Sequence, residues 1–227
     1  MPDVSPASAI ALPAASPPPH LDASPDSITE IVTEEDSGQA YYTRHYTHFE
    51  WPEGASGPTV GIGYDCGYAT VAQIRASWSG IIPDAMVEAL TRAAGLKGQV
   101  AGWFVHAHYG DVTIGWDQAM AEFMRRELPE WEAKCRAALA NYDLLPADCA
   151  GAIDSLAYNR GAGGFHLPGD RYLEMRAIAA HMAAKNFGKI PAEYLSMRRL
   201  WPEGGDLWRR RTHEAARFEQ GLIAHKQ

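Results

Sequence analysis

The run Thr59-Val60-Gly61-Ile62-Gly63-Tyr64-Asp65 constrains this chain more than any other stretch. It joins β-prone residues to two glycines one apart and ends on a carboxylate. A straight strand would hold Thr59 and Asp65 roughly 20 Å apart. Glycines accept positive φ without steric cost, so Gly61 and Gly63 instead predict a tight reversal. Asp65 then returns beside Thr59 or Val60, at a cross-strand distance of roughly 5 Å. A hydroxyl and a carboxylate meeting there is one reading. An ordinary hairpin with a solvated Asp is the other.

A partner for this hairpin lies upstream. Ser27-Ile28-Thr29-Glu30 has capping-box form, and Ile28, Ile31, Val32 and Glu35 follow at helical spacing on one face, with Gly38 as the stop. Glu34 is rotated by about 100° toward the side of Ser27 and Glu30. Glu35 instead continues the apolar stripe in the last turn. Desolvation and the negative end of the helix dipole both favour its protonated form there, which suits a general acid. A Glu at a frayed helix end reaching water is the plain alternative.

The 227 residues fit one domain with a tail: residues 1–26 as a Pro/Ala-rich disordered tail or linker, and residues 27–227 as the folded domain. The tail lacks the basic start and long apolar core of a signal peptide. A net charge of −8 argues against nucleic acid as a partner, and no apolar run reaches the roughly 20 residues of a membrane span. Cys66, Cys135 and Cys149 follow no metal-type spacing, and His106 and His108 lack a third ligand, so no metal and no cofactor is expected.

Beyond the hairpin the pattern is helical. Pro83 and Pro129 sit at expected helix starts, and Pro146 opens a helix on which Cys149, Ala152, Ile153, Leu156 and Ala157 share one face. Gly161 is placed to end it. Arg198, Arg199, Arg209, Arg210 and Arg211 are expected on solvated faces or in intramolecular pairs.

In combination these pieces resemble the phage-type lysozymes. Glu35 at a helix end followed by Thr59-Val60-Gly61-Ile62-Gly63-Tyr64 looks like their catalytic lobe. Ala152-Ile153-Asp154-Ser155-Leu156-Ala157-Tyr158-Asn159-Arg160-Gly161 is similar to their central helix, and Leu207-Trp208-Arg209-Arg210-Arg211-Thr212-His213-Glu214-Ala215 to their Arg-rich C-terminal helix. The resemblance implies an α+β, mostly α, lysozyme-like fold, with a small β-hairpin lobe and a larger helical lobe. It implies a monomeric muramidase acting on peptidoglycan without a cofactor, inverting at the anomeric carbon. Tyr64 stands where those enzymes usually carry His. Their second carboxylate precedes the Thr, where Glu53 is nearest, whereas the Gly-Tyr-Asp ending resembles pesticin-type bacteriocin domains and points to Asp65.

The catalytic set is therefore expected to be Glu35, Asp65 and Thr59, with Glu53, Tyr64 and Asn159 facing substrate. Glu35 is the acid, Asp65 orients or deprotonates a water, and Thr59 holds that water. Two other classes stay open: a lytic transglycosylase, and a non-catalytic peptidoglycan-binding protein of a phage or secretion assembly. With no signal peptide read, synthesis in the cytoplasm and delivery by a holin-dependent or dedicated secretion route is expected. A cognate immunity protein is a further expected partner of the secreted form.

Overall fold

The computed structural model describes residues 21–36 and 38–225; the side chains of Glu35 and Asp36 are outside it. The protein is mostly helical with one small two-stranded antiparallel sheet. Helices α1 (Pro25–Asp36) and α2 (Gln39–His45) lead to strands β1 (Thr59–Val60) and β2 (Tyr64–Asp65). Helices α3 (Val71–Trp78), α4 (Asp84–Arg92), α5 (Gln99–His108) and α6 (Trp116–Glu122) complete the first half. The second half is α7 (Leu128–Ala138), α8 (Ala147–Arg160), α9 (Leu173–Ala183), α10 (Ile190–Met197) and α11 (Asp206–Ala224).

Two apolar cores follow this division. The first gathers α1, α2, the hairpin and α3 to α6, around Ile31, Phe49, Ile62 and Trp78. The second is built on α7 to α11, around Ile153, Leu156, Met175, Tyr194 and Phe218. Helix α8 joins them. Its predicted face is buried, but so are Ala150, Asp154 and Ser155 on the other sides. That is the pattern of a helix surrounded by its neighbours rather than lying on a surface. Tyr158 in its last turn packs against the first core, and its ring lies 5.4 Å from that of Trp131. Gly161 follows at φ 80°.

The first helix starts earlier than its capping pattern suggests. Ser24 is the cap: its Oγ accepts the Ser27 N–H at 3.1 Å, and Pro25 occupies the first helical position. Ile28, Ile31 and Val32 are buried as the periodicity requires. Residues 21–26, read as tail, belong to the fold. The N–H groups of Asp22 and Ala23 donate to Glu132 Oε1 at 2.8 and 3.0 Å, and Asp22 pairs with Arg136. Residues 1–20 of that segment lie outside the described residues.

The helix expected to break before Pro129 instead runs on from α6 into α7 through a π-helical turn, Phe123–Glu127. Leu128 N–H already bonds back five residues to Phe123 C=O, and the wider turn accommodates the Pro129 ring. The three cysteines are free and buried. No described helix is long and apolar enough to cross a membrane.

Candidate functional site

The hairpin reverses at its two glycines, and of the two registers left open it takes the one with Thr59 opposite Asp65. Thr59 pairs with Asp65 and Val60 with Tyr64, while Gly61 and Gly63 take φ 60° and 74°. Ile62 between them is driven into the first core, 3% exposed, and its C=O accepts from Tyr158 Oη at 3.0 Å. The last turn of α8 thereby holds the hairpin tip. A Cβ on Gly63 would approach that Tyr158 oxygen to 2.9 Å, so the contact needs glycine.

Thr59 also has a neighbour on its other side. Glu50 N–H donates to Thr59 C=O at 2.9 Å, and Thr59 N–H to Glu50 C=O at 2.8 Å. Both backbone groups of Thr59 are thus engaged by Glu50. Opposite Asp65 it must form the narrow, non-hydrogen-bonded kind of pair, with Cα atoms about 4.5 Å apart. Glu50, Thr59 and Asp65 form one transverse row, and residues opposite each other in such rows project to the same face.

The two flanking carboxylates have different surroundings. Asp65 Oδ1 accepts from Gly67 N–H at 2.8 Å, and both its oxygens lie 3.1 Å from Gly57 N. Thr59 Oγ1 donates to Gly57 C=O at 3.2 Å. Asp65 opens toward a cleft of about 330 Å³ lined also by Glu127, Glu130, Trp131 and Lys134. Burial raises the pKa of Glu127, whose Oε1 accepts from Trp131 Nε1 at 2.9 Å. Thr59 lines a different cleft, of about 410 Å³, with Tyr46, Glu50, Pro52, Val60 and Gly61. Glu50 is half-buried there, and burial raises its pKa. Its carboxylate makes no hydrogen bond or ion pair among the described residues.

Gly57 is the joint of this arrangement. A Cβ there would press on Asp65 Oδ1 and on Gly67 Cα, well inside van der Waals contact. Gly57→Ala is expected to cost about 1–3 kcal/mol through overpacking and to lower the thermal midpoint by several degrees. Gly110→Ala, where a Cβ meets nothing within 4 Å, should leave the midpoint unchanged in the same melt.

The other expected site residues scatter. Glu35 lies in the last turn of α1, and its side chain falls outside the described residues. Glu53 is exposed in the loop before β1 at φ 71°, and does not line the Thr59 cleft. Tyr64 is 7% exposed, its ring packed edge-on to Trp78 at 5.5 Å. It borders the Asp65 cleft but serves mainly as core. Asn159 is half-buried near the end of α8. Glu34, set aside on helical phase, turns toward α11, where its Oε1 meets His213 Nδ1 at 2.9 Å.

Glu50 is the residue that sequence reasoning missed. It sits in the aromatic passage 41–51, which has no period, and its pairing with Thr59 is a single bridge closed across a Pro/Gly-rich loop. Neither the protein-family models nor the curated protein sequences give a match to this chain.

Proposed function

We propose that the protein is a muramidase that cleaves the β-1,4 bond between N-acetylmuramic acid and N-acetylglucosamine in peptidoglycan. The observation that carries this reading is the backbone row Glu50–Thr59–Asp65, with Glu50 and Thr59 at one open cleft and Asp65 at a second, on a hairpin anchored to the helix between the two cores. A hydroxyl beside a carboxylate is suited to holding a water against a sugar ring, since it donates to one partner, here Gly57 C=O, while accepting from another. The phage-type resemblance supplies the acid. Glu35, in the last turn of α1, protonates the leaving glycosidic oxygen while a carboxylate beside Thr59 takes a proton from the attacking water. The pesticin-type resemblance names Asp65 for this step, and the phage-type one Glu53. No cofactor enters the chemistry.

The test is clearance of a peptidoglycan suspension by the purified protein. Wild type is expected to clear it, and Glu35→Gln to lose activity by two or more orders of magnitude with its thermal midpoint unchanged. Reducing ends of ordinary mass identify hydrolysis. Products lighter by one water, with a 1,6-anhydro ring, would replace this reading with a lytic transglycosylase. Binding without turnover by the folded wild type would replace it with a peptidoglycan-binding module.

A further inference from the structure

We infer that Glu50, rather than Asp65, is the carboxylate that activates the water held by Thr59. This rests on the glycan-cleaving reading above and assigns its base. Among the described residues, Glu50, Glu53 and Asp65 are the carboxylates on or next to the strands that hold Thr59, and the fold treats each differently. Glu53 stands in solvent and lines no part of the Thr59 cleft. Asp65 is engaged by the N–H groups of Gly57 and Gly67, which tie the loop before β1 to the turn after β2. Its open side faces the other cleft, toward Glu127 and Lys134.

Among the described carboxylates, Glu50 alone shares the cleft of Thr59. The two residues exchange both backbone hydrogen bonds, so their Cβ atoms lie about 5 Å apart on one face. That spacing leaves room for one water between a hydroxyl and a carboxylate. The Glu50 carboxylate has its acceptor sites available, because no described side chain or backbone N–H bonds to it. Tyr46 and Pro52 wall the same cleft and withdraw Glu50 from bulk water. Burial raises its pKa, which brings a carboxylate base closer to the operating pH and strengthens its pull on a proton.

The step balances without a further reactant. Water oxygen bonds to the anomeric carbon as the bond from that carbon to the glycosidic oxygen breaks. The water proton passes to Glu50, the leaving oxygen takes the proton of Glu35, and solvent restores both carboxyl groups. Thr59, whose own proton goes to Gly57 C=O, accepts one hydrogen bond from the water throughout and is not consumed. Asp65 acts as a brace that fixes where β1 and β2 meet Gly57.

The experiment compares Glu50→Gln, Glu50→Asp and Asp65→Asn with wild type in the full-length protein, reading reducing ends released from purified peptidoglycan and the thermal midpoint. Glu50→Gln is expected to lose on the order of 10²–10⁴-fold in turnover with its midpoint within about 2 °C of wild type. Glu50→Asp, which keeps the carboxylate on a shorter stem, should recover part of that loss. Asp65→Asn should lower the midpoint while retaining turnover within about tenfold at a temperature where it is folded. Turnover of Glu50→Gln within threefold of wild type overturns the assignment, as does full loss in a folded Asp65→Asn with Glu50→Gln active. A folded wild type that releases no product removes the glycan reading itself, and the role of Glu50 with it.

Discussion

Glu214→Ala is expected to lower the stability of the protein by about 3–5 kcal/mol, because it leaves a buried guanidinium without its carboxylate. Arg211 is 0% and Glu214 4% exposed, and Arg211 Nη2 donates to Glu214 Oε1 at 2.8 Å. The same oxygen accepts from Ser155 Oγ on α8 at 2.7 Å, and Arg210 reaches Ser155 C=O at 3.0 Å. The cluster therefore clamps α11 to α8. Burial pushes the Glu214 carboxyl up and the Arg211 guanidinium down, each toward its neutral form. Desolvation thus outweighs mutual attraction in both partners. The loss on truncation measures the cost of an orphaned charge and not the net worth of the pair. At roughly 2–4 °C per kcal/mol for a chain of this size, the midpoint should fall by about 10 °C. Glu214→Gln, which keeps an oxygen acceptor for Arg211 and Ser155, should fall less. Glu203→Ala, at an exposed loop position, should not move the midpoint by more than a degree or so. An unchanged midpoint in Glu214→Ala would mean that water or a neighbouring group replaces the carboxylate.

That cluster also shows what the sequence could and could not reveal. Arg210 and Arg211 read as solvated faces or intramolecular pairs; the pairs are there, with Glu214, but both residues are buried, 2% and 0% exposed. The available clue was Glu214, four residues from one and three from the other, the spacing of partners on a helix surface. Spacing cannot tell a surface pair from a buried one, because only the packing of α8 against α11 decides it. The hairpin was legible for the opposite reason. Two glycines at 61 and 63 favour a tight reversal, which narrows the partner of Asp65 to Thr59 or Val60; the structure takes Thr59. The face of α8 was legible from its period. The strap of residues 22 and 23 onto Glu132 was not, since a backbone N–H looks alike in any composition. Glu50 was hidden likewise: one bridge produces no alternation to recognise.

The stability of the fold should decline as pH rises from about 4 to about 8, and Asp154→Asn should remove about one proton's share of that decline. Asp154 is 0% exposed on α8, and burial pushes its carboxyl up to about 8, with Tyr142 Oη 2.8 Å from each of its oxygens. Glu122, 3% exposed, is also pushed up to about 8, by burial first and by the neighbouring Glu127 second. In the unfolded chain these groups titrate near 3.9 and 4.3. Between those values and 8 the folded protein holds protons that the unfolded chain has released. The stabilisation is therefore complete below about pH 4, falls by at most about 1.4 kcal/mol per pH unit for each group, and is gone above about 8. Asn has nearly the shape of protonated Asp, keeps a donor and an acceptor for Tyr142, and does not titrate. Thermal midpoints measured from pH 5 to pH 8 should slope less steeply in Asp154→Asn, with the curves diverging toward pH 8, where the variant is the more stable. Identical slopes would show that Asp154 is already ionised at neutral pH. The site is coupled to the same titration, because α8 carries Tyr158, whose hydroxyl holds the hairpin tip at Ile62. Loosening α8 above pH 8 frees Thr59 and Glu50 from their fixed row, so on the proposed muramidase reading the alkaline loss of peptidoglycan clearance should come at a higher pH in Asp154→Asn than in wild type.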